Sequence, residues 1–238
     1  MNGRIKRINP VLNRVILPRV GFIKIGFKEK RNGREFPKSV DYFIPTGKYA
    51  ELFTQAYGEK PSTIQIVFPD DDASKVCNEI YEYRDDKGRL IADGDGENFR
   101  IWDGKKYELL STNDYPNLMK GVSQKYPNQL TLKGGDGWRI TLTLTFIVPM
   151  VKGIAGVWQF VTNGNASTIP NLRDTFDAIL ESRGFVKGIL FDLNVQFAKS
   201  QKPGVTSKYP VVTMVPNESE SNLKKIKEFM NVKKTLEK

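Results

Sequence analysis

The 238-residue chain contains no histidine and a single cysteine, Cys77. Without imidazole there is no Ser–His or Cys–His nucleophile pair, no HExxH zinc site and no histidine general base. One thiol excludes an internal disulfide and any CxxC pair for metal or redox chemistry, and it points to a reducing, cytoplasmic setting. There is no run of eighteen apolar residues, so no membrane-spanning helix and no membrane partner are expected. The opening MNGRIKRINPVLNRVILPRV has only short apolar clusters and no small-residue cleavage site, which argues against a secretory leader. Acid–base work by Lys, Glu, Asp or Tyr and magnesium held by carboxylates stay open. The common hydrolase designs are closed, and no cofactor-binding motif is present.

Charge is plentiful and unevenly placed. The net +10 hides a basic start and an acidic middle: residues 1–40 hold eleven Lys and Arg against two Glu, a net +9, and residues 70–97 hold ten Asp and Glu against four Lys and Arg, a net −6. A basic arm reads either as a polyanion-binding element or as a solvated tail. The candidate nucleic-acid or partner surface comprises Arg4, Lys6, Arg7, Arg14, Arg19, Lys24, Lys28, Lys30, Arg31 and Arg34. Phe22 and Phe27 lie among these cations and Tyr42 and Phe43 on the expected return strand, a mixture used by single-strand binders. Phe22, Ile23, Ile25 and Phe27 cannot all share one strand face, so some of these rings belong to the core.

Periodicity then sets the organisation. GFIKIGF (21–27) alternates as a strand, Asn32-Gly33 is a hairpin turn, and the return strand ends at Val40-Asp41-Tyr42-Phe43-Ile44. Thr46 reads as the N-cap of a helix over 47–57, with Tyr49, Leu52, Phe53 and Ala56 on one face and Gly58 as its stop. STIQIVF (62–68) is the next strand. Residues 79–93 and 98–110 read as two hairpins, and Trp138–Val148 as a long strand whose Ile140, Leu142, Leu144 and Phe146 face inward and whose threonines face water. GVWQFVTN (156–163), a helix with Pro170 in its first turn and Leu172, Phe176, Ile179 and Leu180 as its stripe, then VKGILFDLNVQFA (186–198) and YPVVTMVP (209–216) complete the domain. The expected class is α+β: mixed, mainly antiparallel sheets with two strand–helix–strand units and a C-terminal helix. The expected layout is a basic arm over 1–18 and one domain over 19–217, divisible into intertwined parts of about 19–110 and 130–217. A basic amphipathic helix over 218–238 follows, whose Leu223, Ile226, Phe229 and Met230 face either the domain or a partner.

Four motifs invite chemistry and are better explained by structure. Lys152-Gly153-Ile154-Ala155-Gly156 contains a GxxG, but it falls between two strands rather than two helices and lacks the Walker order, so it reads as a turn between core strands. Arg183-Gly184-Phe185-Val186-Lys187-Gly188 resembles an RNA-recognition signature, yet Gly184 is already explained as a helix cap. Asp93-Gly94-Asp95-Gly96-Glu97 has Asn98 where a calcium loop needs glycine and Gly104 where it needs glutamate, so it reads as an acidic turn, as does Asp70-Asp71-Asp72.

The succession GFIKIGF, REFPKSVDYFIPT, AELFTQAYGEKP, TFIVPM, GVWQFVT and YPVVTMVP spans roughly residues 20 to 216 and resembles the recombination directionality factor-like proteins of phages and prophages. The best-known member of that family converts a large serine integrase from integration to excision. The resemblance implies a non-enzymatic protein that binds a large serine integrase, near the integrase's coiled-coil-bearing C-terminal region, and switches recombination toward excision. It carries over no catalytic residue and defines no contact residue. DNA, single-stranded or in the recombination complex, is a further possible partner, and the alternative function is a single-stranded DNA-binding or annealing protein of a phage replication or recombination module.

Overall fold

A computed structural model describes residues 17–85, 87–114, 138–200, 204 and 206–217. The expected arm up to residue 16 and the expected C-terminal helix, with Leu223, Ile226, Phe229 and Met230, lie outside the described residues.

The chain enters through a long hairpin of β1 (Arg19–Arg31) and β2 (Arg34–Thr46). Its turn is Asn32-Gly33, with φ of 50° and 75°, the left-handed pair that a two-residue type I′ turn requires. Pairing runs from Phe22 opposite Thr46 to Arg31 opposite Arg34 and breaks once, between Lys24–Ile44 and Gly26–Ser39. At the break β2 carries the extra residues, Val40 to Phe43 against Ile25 alone. Val40 and Phe43 can therefore both be buried although they are three apart, which regular alternation forbids.

After β2 come α1 (Ala50–Tyr57) and β3 (Thr63–Val67), then a single helical turn, α2 (Ala73–Val76), leading into β4 (Cys77–Arg84). Short strands β5 (Leu90–Gly94), β6 (Asn98–Trp102) and β7 (Tyr107–Ser111) follow, matching the two expected hairpins. The second half supplies β8 (Trp138–Phe146), β9 (Val157–Thr162), α3 (Thr168–Arg183), β10 (Leu190–Lys199) and β11 (Lys208–Pro216). Eight strands form one sheet in the order β2-β1-β9-β8-β4-β5-β6-β7, and three form another in the order β11-β10-β3. The β1–β9 pair is parallel, and the other pairs of named strands are antiparallel.

The fold is α+β, with both expected strand–helix–strand units in place. Each unit crosses between sheets: β2–α1–β3 and β9–α3–β10 both start in the large sheet and end in the small one. Strands β2 and β9 flank β1, and β3 and β10 pair with each other. The crossings wrap a common core. Ile23, Phe43, Leu142, Leu144, Phe146, Trp158 and Phe160 come from the large sheet, and Ile64, Ile66, Phe191, Leu193, Val212 and Met214 from the small one. Helix α1 contributes Phe53, whose ring lies 5.6 Å from Trp158, and α3 contributes Ile169, Leu172 and Phe176 at helical spacing. Phe68 stands edge-on to Phe176 and Phe191 at 5.2 and 5.4 Å. Each such fully buried aromatic contributes roughly 2–3 kcal/mol by removal from water. A smaller cluster of Tyr83, Ala92, Phe99, Ile101 and Leu110 organises β4–β7, with Trp138 edge-on to both Tyr83 and Phe99. No helix among the described residues is long and apolar enough to cross a membrane.

Several local expectations are corrected. Thr46 is the last residue of β2, and its hydroxyl donates to the Phe22 carbonyl (3.2 Å); α1 starts after a Gly47–Tyr49 turn, with Tyr49 at its cap position and no side-chain cap. Ladder pairing with Phe22 outweighs the local capping preference of threonine. Leu52 is 39% exposed, so the α1 stripe is narrower than its spacing predicts. Thr141 is buried although it lies on the threonine face of β8, because the Asn163 amide donates to its hydroxyl (2.7 Å), which in turn donates to Glu82 (3.2 Å). The segment Val186–Ile189 is a turn, with Gly188 at φ 79°, and the strand starts only at Leu190. The KGIAG segment is the expected turn: Lys152 is exposed, Gly153 has φ 80°, and Gly156 is packed against the entry to β1.

Candidate functional site

Strand β9 pairs with β1 only over Arg19–Ile23, so β1 beyond Ile23 is paired with β2 alone. Residues 24–39 thus form a two-stranded ribbon that overhangs the sheet, and every residue from Lys30 to Ser39 is exposed. The ribbon holds six Lys and Arg against two Glu, a net +4. Two faces follow from the register. Strand alternation puts Lys24, Lys28 and Lys30 on the outer face of β1, continuing from Phe22, with about 7 Å between alternate residues. The opposite face continues from Ile23 and Ile25 through Phe27, Glu29 and Arg31, whose cross-strand partners are Lys38, Phe36 and Arg34.

The second face carries two solvent-facing rings, Phe27 at 41% and Phe36 at 47% exposure, as diagonal neighbours on adjacent strands. The Lys38 ammonium lies 5.6 Å from the Phe27 ring centre. Between the rings Glu29 accepts from Lys38 Nζ (2.8 Å) and Arg31 Nε (2.8 Å). Those two cations, Lys38 foremost, hold the Glu29 carboxyl below its ordinary value. On the outer face Lys28 is paired with Glu35 (3.0 Å). Lys24, Lys30 and Arg34 have no ion pair among the described residues. The ribbon resists edge-to-edge pairing through Pro37 and Lys38 on its outer strand.

Lys24, Lys28, Lys30, Arg31 and Arg34 share the ribbon, whereas Arg19 sits at its base, with its guanidinium 4.5 Å from the Phe22 ring centre and donating to Gln159 Oε1 (3.3 Å). Arg4, Lys6, Arg7 and Arg14 lie outside the described residues. Phe43 is core, and Tyr42 is half-buried with Lys60 over its ring. Sequence reasoning missed Phe36 and Lys38. Counting outward from the Asn32-Gly33 turn would have placed both on the Phe27 face.

The acidic clusters are structural. Asp71 Oδ1 accepts from the amides of Val186 (2.8 Å) and Lys187 (2.7 Å), fastening the corner after β3 to the approach to β10. Asp72 caps α2 through the Ser74 amide, and Lys75 pairs with Asp70 (2.9 Å) and Asp72 (3.2 Å). The Lys75 hydrogen bond keeps the Asp70 carboxyl below its usual range, and the Ser74 hydroxyl leads in doing so at Asp72. Asp95 closes the β5–β6 turn by accepting from Glu97 and Asn98, and Asp93 pairs with Arg100. Among the described residues no three acidic or Cys side chains come together as a metal site. The shallow cleft beside α3 mixes Ala178 and Ile179 with Asn171, Thr175 and Thr213, and the one along β10 is lined mainly by hydroxyls and amides; each has one carboxylate, Asp174 and Asp41.

No curated protein and no solved structure matches the chain significantly. A model of the Gp3-like family, described as recombination directionality factor-like, matches residues 20–217, a span that takes in the ribbon, both sheets and both crossing units. The chain belongs to the Gp3-like, recombination directionality factor-like family.

Proposed function

We propose that this protein is a non-enzymatic accessory factor of a phage or mobile element that binds a large serine integrase and turns it from integration to excision. The observation that carries the reading is the family match over residues 20–217. The sequence agrees with it: a chain without histidine and with one buried cysteine offers few of the groups that hydrolases and transferases use.

The physical requirement is modest. A partner that shifts an equilibrium does so only by binding one arrangement better than another. A preference of about 3 kcal/mol for the excision-competent synaptic arrangement of an integrase tetramer would move that equilibrium roughly a hundredfold. The protein need supply no chemistry; the integrase breaks and joins the strands.

The reading is tested by titrating labelled protein with the purified cognate integrase. Micromolar or tighter association, displaced by an excess of the unlabelled protein, supports it. No association at tens of micromolar, with both proteins folded, removes it.

A further inference from the structure

We propose that the Phe27–Phe36 face of the overhanging ribbon is a binding platform for single-stranded nucleic acid, on which bases stack while the flanking cations hold the phosphates. The proposal is independent of the integrase reading and concerns this chain alone.

Four observations converge on it. First, the ribbon leaves the sheet: residues 24–39 pair with no third strand, and Phe27 and every residue from Lys30 to Ser39 are exposed. Second, the two rings lie on adjacent strands of one face, and both are about half exposed although the chain has a core in which comparable rings are fully covered. Solvated phenylalanine in such a pair is costly unless a flat apolar surface covers it. Third, cations border the rings on their own face: Arg31 and Arg34 toward the turn and Lys38 beside Phe27. A net +4 over sixteen residues selects a polyanion, and a ring pair between cations selects one whose bases are unpaired. A duplex keeps its bases stacked inside and offers the rings nothing. Fourth, the face stays basic after its one carboxylate is counted: Glu29 pairs with Arg31 and Lys38, and Arg34 has no ion pair among the described residues.

The test uses the full chain and a fluorescent oligothymidylate of about fifteen nucleotides, with no integrase present. Binding should weaken steeply with salt, by roughly 0.7 in log–log slope per neutralised phosphate. The Phe27→Ala/Phe36→Ala double variant, altered only at exposed rings, should keep the wild-type melting temperature and lose at least tenfold in affinity, given what each stacked base contributes. Arg34→Ala, which removes the cation of this face that has no ion pair among the described residues, should lower the salt slope by about 0.7. A duplex of equal length should bind more weakly than the single strand and should not respond to the ring variant. The proposal is overturned by any of three results: no oligonucleotide binding at low salt, wild-type affinity in the folded ring variant, or ring-independent binding to single strand and duplex alike. Loss of integrase association in the ring variant with oligonucleotide affinity intact would assign the face to a protein partner, and it overturns the proposal too.

Discussion

Lys38 reaches across the β1–β2 ribbon to Glu29, its Nζ 2.8 Å from Oε1, and the same carboxylate holds Arg31. One acidic side chain therefore restrains two of the six cations that make the ribbon basic.

Glu29→Gln should release both cations and raise the ribbon from net +4 to net +5. Oligothymidylate affinity at pH 7 should rise several-fold at low salt, with a slope steeper by roughly 0.7 for each additional phosphate neutralised. Since Lys38 and then Arg31 hold the Glu29 carboxyl below its ordinary 4.5, its cross-ribbon contribution is present above that value and lost as pH falls through the lower folded-state value. Salt-series anisotropy on the variant checks this; an unchanged or weaker affinity would count against the role given to these cations.

Asp71→Ala should destabilise the fold by about 1–3 kcal/mol, because it leaves the Val186 and Lys187 amides without their acceptor beside a buried valine. Asp71→Asn, which keeps an acceptor oxygen, should recover most of the loss. Chemical denaturation compares the three proteins, and equal midpoints would show that the corner is held by something else.

Gly156→Ala should also destabilise, by about 1–3 kcal/mol. A Cβ there would sit 2.7 Å from the Pro18 carbonyl oxygen and closer still to Val20 Cγ1, at the point where the Val157 amide bonds Pro18 (2.9 Å). The seam between β1 and β9 would have to open. Oligonucleotide affinity of the folded fraction should stay at the wild-type value, since the β1 residue that Gly156 meets, Val20, lies seven residues before Phe27 on that strand; a stable variant with lost binding would restore the GxxG as a grip.

Much of the fold was legible in the sequence, and the reasons are local. The ribbon turn announces itself because Asn-Gly is one of the few pairs that supply two successive positive φ values cheaply. Helix α3 is marked by its stripe, by Pro170 at the start and by Gly184 in the left-handed region at the end. What escaped depends on partners distant in sequence. Thr141 looks solvated until Asn163 covers it, Thr46 looks like a cap until Phe22 claims it as a strand partner, and the three extra residues of β2 that bury both Val40 and Phe43 leave no periodic trace. At the candidate site the cations were visible, but their pairing was not: Glu29 and Glu35 neutralise part of what the charge count promised. That each strand–helix–strand unit spans two sheets is a fact of pairing, not of composition.

Cys77 should be inert to thiol reagents in the native protein. Burial, with smaller help from the Asp177 and Glu79 carboxylates, pushes its thiol up to about 12, so at pH 8 almost no thiolate exists. Ellman's reagent should report no free thiol in buffer and one after denaturation. Fast native labelling would show that α2 and β4 open more readily than their packing implies.

Control over the direction of recombination is best measured on the reaction itself. Recombination by the cognate large serine integrase is followed on an excision substrate pair, attL and attR, and on an integration pair, with and without saturating protein. Excision should rise from background, by up to roughly a hundredfold if the arrangement preference is near 3 kcal/mol, while integration falls. Unchanged excision together with unchanged integration would show that the protein does not set the direction.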